Sequence, residues 1–187
     1  MSSHHIVKED QEPALVIEAM DSIPSDLLYQ LLEWNPIVTT DEPNLRLVTR
    51  LGVKVDVLVT ERSVDLPQDH IQVVPLNDSF LESALSYLIT RGCRAANILS
   101  SRADPALLLQ HAADIQLVLL SNGQRIFPAK SGFTKWKPKG ERIFTYSDPV
   151  IETKGLYQLN ERAYVTTSDG LYSIKFAKPY GLVGEAL

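Results

Sequence analysis

The residues able to do chemistry are few and scattered. The chain has one thiol, Cys93, and four imidazoles, at His4, His5, His70 and His111. A catalytic thiol needs an activating base beside it, and no histidine is near Cys93 in sequence. Its place just after Gly92, at the end of a helical pattern, reads as a small buried apolar position. His70 in a polar loop and His111 near a helix end read as surface residues, and His4 and His5 belong to a loose polar terminus. Lys130, Lys135, Lys137 and Lys139 interleave with Phe133 and Trp136, a spacing that can meet a phosphate backbone. The preferred reading is a solvated hairpin face with its aromatic rings turned inward. Carboxylates, hydroxyls and arginines recur in four loops, 39–42, 60–67, 75–80 and 100–104, among them Asp41, Glu61, Arg62, Asp78, Ser100, Ser101, Arg102 and Asp104. No phosphate loop, GxGxxG turn, paired CxxC, HExxH, EF-hand or GxSxG pattern ties them together.

The elements flanking those loops explain why they matter. Residues 14–20 form an apolar run fit for a buried strand. A helix is expected over 22–34, with Leu27, Leu28, Leu31 and Leu32 at helical spacing and Pro24 near its first turn. Strand-like residues 37–40 follow, then a helix opened by Pro43 and closed by Gly52. Further strands are expected at 55–59, 71–75, 95–99 and 115–120, with helices over 79–91 and from Asp104-Pro105 to about 113. Strands alternating with helices imply a parallel sheet, and such sheets bind ligands beyond the carboxyl ends of their strands. The four loops lie at those ends.

After Leu120 the pattern changes. Turn signals at Asn122-Gly123, Lys139-Gly140, Asp148-Pro149 and Asp169-Gly170 separate short aromatic and β-branched runs at 142–146, 150–153, 163–167 and 171–176. No helical stretch interrupts them. The expected organisation is an α/β parallel-sheet domain over residues 1–121 followed by an all-β sandwich over 122–187. Apolar residues make up 44% of the chain, ordinary for a packed core, and the net charge of −5 argues against a general nucleic-acid binder. One cysteine permits no intrachain disulfide, no run approaches the ~18–20 apolar residues of a membrane span, and no apolar targeting core follows the N-terminus. Cytoplasmic is the default expectation.

Several stretches, taken in order, resemble the thiamine pyrophosphokinases. Thr39-Thr40-Asp41, Asn44-Leu45-Arg46 and the run Leu51-Gly52-Val53-Lys54-Val55-Asp56-Val57-Leu58-Val59 are similar to that family's small residue, Asp, helix and "leu-gly-ile-x-pro-asp-val-val". Ala84-Leu85 through Arg91-Gly92 resembles the helix behind its central acidic motif. Ser100-Ser101-Arg102-Ala103-Asp104-Pro105 resembles "gly-gly-arg-x-asp-his", and Lys154-Gly155-Leu156-Tyr157-Gln158-Leu159 resembles "gly-leu-lys-tyr-pro-leu".

The resemblance implies an α/β domain joined to a β-sandwich, a homodimer, and transfer of a diphosphoryl group from ATP to thiamine with Mg²⁺, releasing AMP. It assigns Glu61 and Asp78 to catalysis and metal, Ser100, Ser101, Arg102 and Asp104 to the nucleotide, and Asp41, Ser168 and Asp169 to thiamine. The chain departs from the pattern at the metal. Thr60-Glu61-Arg62-Ser63-Val64 stands for "gly-asp-phe-asp-ser", and Leu76-Asn77-Asp78-Ser79-Phe80 for "lys-asp-x-thr-asp". Mg²⁺ takes hard oxygen ligands, and a phenyl ring supplies none. Two readings therefore stand: a kinase with substituted carboxylates, or a non-catalytic dimeric relative that binds a small ligand. Asp41 and Asp104 also read as helix caps, and Ser168-Asp169-Gly170 as a standard turn.

Overall fold

A computed structural model describes residues 12–146 and 149–187. His4, His5, most of the 1–13 leader and Asp148 of the expected Asp148-Pro149 turn lie outside the described residues. The chain divides into two compact units. The first takes the described residues through Ser101 together with Asp114–Gln116, and the second takes Arg102–Ala113 and Leu117–Leu187.

In the first unit, β1 (Ala14–Ile17), β2 (Val38–Asp41), β3 (Val57–Thr60), β4 (Gln72–Pro75) and β5 (Ala95–Leu99) lie in the order β5-β1-β2-β3-β4, every neighbouring pair parallel. All four residues of β1 and of β3 are buried, as strands covered on both faces must be. Helices α1 (Ser25–Leu32), α2 (Glu42–Arg50) and α3 (Phe80–Thr90) form three of the crossovers. Pro24 stands ahead of α1 as its cap, so the helix expected over 22–34 begins later, after a short 3-10 turn at Met20–Ser22. Asp41 caps α2 and Ser79 caps α3. Gly52 and Gly92, at φ +75 and +86, end these helices in the left-handed region that glycine adopts freely.

In the second unit, the helix expected from Asp104 to about 113 shrinks to one turn, α4 (Leu107–Gln110). Leu107, Leu108 and Leu109 donate to the carbonyls of Asp104, Pro105 and Ala106, the tight i−3 pattern that does not propagate. The segments that follow differ from the first unit: β6 (Gln116–Ser121), β7 (Gln124–Lys130), β8 (Phe133–Lys137), β9 (Arg142–Thr145), β10 (Val150–Lys154), β11 (Leu156–Asn160), β12 (Ala163–Thr166), β13 (Gly170–Phe176) and β14 (Tyr180–Ala186) are strands. They form an antiparallel run β11-β12-β9-β14-β7-β6 and a second antiparallel sheet β10-β13-β8. Ala129, Ile143, Tyr164 and Val183 from the first and Tyr172, Ile174 and Phe176 from the second share one buried cluster.

The lysine-rich segment departs from expectation. In β8, Phe133, Lys135 and Lys137 are the half-buried positions, while Trp136 is 59% exposed. Strand alternation places residues 133, 135 and 137 on one face, and a buried acid on β14, Glu185, draws both lysines inward. The aromatic ring at 136 faces out, opposite Leu171, which is also exposed.

Candidate functional site

Parallel register brings the carboxyl ends of β2, β3 and β4 side by side. Asp41 pairs with Val59, and Thr60 pairs with Pro75, so the residues that follow these strands open onto one end of the sheet. A pocket of about 570 Å³ forms there, lined by Asp41, Glu42, Arg46, Glu61, Arg62 and Phe80, with Pro43, Val59, Thr60 and Leu76. Both α2 and α3 begin at this pocket, and helix N-termini carry partial positive charge.

Local hydrogen bonds fix much of the lining. The Asp41 carboxylate accepts from the Asn44 backbone N–H at 3.1 Å and from Asn44 Nδ2 at 2.6 Å. Asn44 Nδ2 also donates to the Glu18 carbonyl at 2.9 Å, tying the start of α2 to the end of β1. The Thr60 hydroxyl donates to Glu42 Oε2 at 3.2 Å and accepts from the Arg62 N–H at 3.1 Å. The pocket therefore has an apolar floor of Val59, Leu76 and Phe80 and a rim of three carboxylates and two guanidinium groups.

Of the expected site residues, Asp41 and Glu61 line this pocket, and Asp78 does not: it is exposed just before the α3 cap, where Ser79 Oγ accepts from the Glu82 N–H at 3.2 Å. Ser100 is fully buried, and its hydroxyl donates to the Glu18 carboxylate. This contact sits where β1 and β5 are neighbours while β1 leads on to β2 at its other side, the switch in strand order at which open α/β sheets offer a crevice. Glu18 was not among the expected site residues. It lies inside the apolar run 14–20, just after β1, and only the β1–β5 pairing, invisible in sequence, puts it beside Ser100. Ser101 and Arg102 are exposed. Asp104 accepts from the Ala106 N–H at 2.9 Å, as an Asx turn does. In the second unit, Ser168 and Asp169 are exposed, and Asp169 accepts from the Lys139 N–H at 2.7 Å, bracing one turn on another.

The donor set does not suit a resident Mg²⁺. Mg²⁺ demands near-octahedral oxygen ligation. Three carboxylates line the pocket, yet among the described residues no three His, Cys, Asp or Glu side chains come together as a metal-holding group. Asn44 holds Asp41, Thr60 holds Glu42, and Arg46 and Arg62 compete with a cation for the rest. Among the described residues, no helix is long and apolar enough to cross a membrane.

No protein-family model matches the chain, and no curated protein matches it by sequence. Solved structures do match by shape. The thiamine pyrophosphokinase of Bacillus subtilis is 14% identical with a TM-score of 0.63, over 92% of this chain and 97% of that one. That of Geobacillus thermodenitrificans is 13% identical with a TM-score of 0.65, over 93% and 96%. The thiamin pyrophosphokinase of Candida albicans is 10% identical with a TM-score of 0.66, over 97% and 91%. Across nearly its whole length, with parallel strands in its N-terminal part and antiparallel strands after them, this chain has the fold of the thiamine pyrophosphokinases.

Proposed function

We propose that this chain is a thiamine-pyrophosphokinase-like protein that binds a small ligand of the nucleotide or thiamine class in the strand-end pocket, with diphosphoryl transfer lost or much reduced. The observation that carries the reading is the make-up of the pocket. Phe80 and Leu76 give a face for an aromatic ring, and Arg46 and Arg62 give forked donors suited to phosphate oxygens. Of the nearby acids, Asp41 and Glu42 are held as a cap and a brace, and Asp78 stands outside the pocket, which leaves Glu61 as the remaining carboxylate of the lining. Phosphoryl transfer depends on positioned cations around a charge-rich transition state, so a pocket that cannot fix Mg²⁺ retains binding and loses rate. In the same reading, Ser100, Ser101, Arg102 and Asp104 approach the nucleotide, Ser168 and Asp169 approach thiamine, and the second unit is the β-sandwich of a homodimer. Residues 1–121 and 122–187 are its functional halves.

The active-kinase reading keeps one observation in its favour: Asp41, Glu42 and Glu61 line a single pocket. An assay for AMP release from ATP and thiamine with Mg²⁺ separates the two. The proposal expects no AMP above background, together with a rise in melting temperature when ATP or thiamine is added, since ligand bound to the native state stabilises it by mass action. AMP released at enzymatic turnover overturns the loss of transfer. A melting temperature that neither ligand moves overturns the binding reading.

A further inference from the structure

The lysines of β8 serve no purpose in the strand-end pocket, and their surroundings in the second unit are unusual. Glu185 on β14 is fully buried. Its Oε1 accepts from the Tyr172 hydroxyl at 3.0 Å. Its Oε2 accepts from Arg125 Nε at 2.8 Å and Nη2 at 2.5 Å on β7, and from Lys135 Nζ at 2.7 Å on β8. Lys137 Nζ stands 3.4 Å from the same oxygen. Three cations thus meet on one carboxylate oxygen. A buried carboxylate needs one good cationic partner and filled lone pairs, and each further cation brought in adds desolvation and repulsion without a new counter-charge.

Glu141, 3.8 Å from Lys137, offsets part of the excess. At least one positive charge remains uncompensated within the cluster. The cations are not sealed in: the side chains of Arg125, Lys135 and Lys137 are 40%, 33% and 15% exposed, while that of Glu185 is inaccessible. The carboxylate therefore acts as a fixed anchor that gathers the three cationic heads from strands of both sheets, and their surplus charge faces solvent. Lys135 is further steadied over the Phe127 ring, 5.6 Å from its centre. A guanidinium fork beside two ammonium groups matches the several oxygens of a tetrahedral oxyanion.

We propose that Arg125, Lys135 and Lys137, gathered on Glu185, form an anion-binding site for a phosphate-class oxyanion, built without any residue of the strand-end pocket. The test is calorimetric titration of the full chain carrying Arg46→Ala and Arg62→Ala, so that the pocket arginines contribute nothing. The probes are inorganic diphosphate and inorganic phosphate, each against sodium chloride at equal ionic strength. Saturable one-site binding is expected, tighter for diphosphate. Lys137→Gln, which leaves Glu185 its Arg125, Lys135 and Tyr172 bonds, should weaken it about tenfold, the worth of one charge-assisted hydrogen bond. Lys137→Arg should retain it. Glu185→Gln should bind diphosphate more tightly, an outcome that a purely structural ion cluster would not produce. ADP titrated in parallel tells a free oxyanion from the phosphate end of a nucleotide, by weaker or equal affinity relative to diphosphate. Heats no different from chloride overturn the site, as does unchanged affinity in both Lys137→Gln and Lys135→Gln.

Discussion

The two units each gather charge, and they do so in opposite ways. At the strand ends of the first, three carboxylates and two arginines sit on loops and helix starts, and two of the acids, Asp41 and Glu42, are engaged as a cap and a brace. In the second, one acid lies on a central strand between two others, fully buried, with three cations converging on it. Loop charges in water contribute little to stability and are free to vary. A charge fixed by strand register inside a core cannot be lost without leaving its partners unpaired. The first arrangement is therefore expected to govern binding of nucleotide or thiamine with little effect on folding, whereas loss of the buried acid in the second should cost folding stability, and substitutions should divide accordingly.

The largest effect should follow from Glu185→Ala. It strips Arg125, Lys135 and the Tyr172 hydroxyl of a common acceptor. Breaking a buried pair on one side costs several kcal/mol; because the cations here reach solvent, a loss of about 2–4 kcal/mol is expected in urea denaturation. The pH dependence follows from the same contact. Burial pushes the Glu185 carboxyl up, but the Lys135 ammonium and Arg125 guanidinium outweigh it and hold the group below its ordinary value of 4.5. The native state then binds fewer protons than the unfolded chain, so this stability is present above pH 4.5 and lost as the pH falls through the lower native value. Acid denaturation of Glu185→Gln should show a shallower dependence across that window. Burial, then the charge of Glu185, raises the Tyr172 phenol above its ordinary range, so it remains a neutral donor.

Next in size should be Gly181→Ala, on the same strand as Glu185. A Cβ there would overlap the Phe176 ring, and overpacking a core of this kind costs about 1–3 kcal/mol. A melting temperature within a degree of the parent would show that the ring can move aside. This glycine also explains what sequence hid. The parallel sheet was legible because β1, β3 and β5 are apolar runs punctuated by proline and glycine caps. β14 was not: Tyr-Gly-Leu-Val-Gly-Glu-Ala carries two glycines and an acid, marks of a loop. Yet Gly181 is there to admit the Phe176 ring, Gly184 to admit Tyr146, and Glu185 to receive three cations. Each requirement comes from another strand, so no local pattern announces it. The inward turn of Lys135 and Lys137 was obscured for the same reason. At the pocket, the loops were legible from the strand ends, whereas the Glu18–Ser100 contact depended on β1–β5 pairing.

In the first unit the effects should move to binding. Arg62→Ala removes a guanidinium from the rim, while the Thr60–Glu42 contact stays in place. ATP affinity should fall about tenfold, in keeping with one lost charge-assisted hydrogen bond, and unfolding should be nearly unchanged, since the side chain is exposed. A large loss of stability with unaltered affinity would reverse the division between the units.

The smallest effect is also the most discriminating. Asp41 both caps α2 and lines the pocket. Asparagine caps helices about as well as aspartate, whereas alanine costs about 1 kcal/mol. Asp41→Asn therefore keeps the oxygen that accepts from the Asn44 N–H and removes the charge alone. Stability should change by no more than about 0.5 kcal/mol, less the small attraction of a carboxylate for the helix N-terminus. Binding should respond in the direction set by the ligand. With one negative charge gone beside Arg46 and Arg62, an anionic nucleotide should bind about 2–3-fold more tightly, the scale of one solvent-screened charge, and cationic thiamine more weakly by a similar factor. Titrating this one variant with both ligands thus tells which of them the pocket receives, because the cap is intact and only the sign of the ligand's charge is left to decide the outcome.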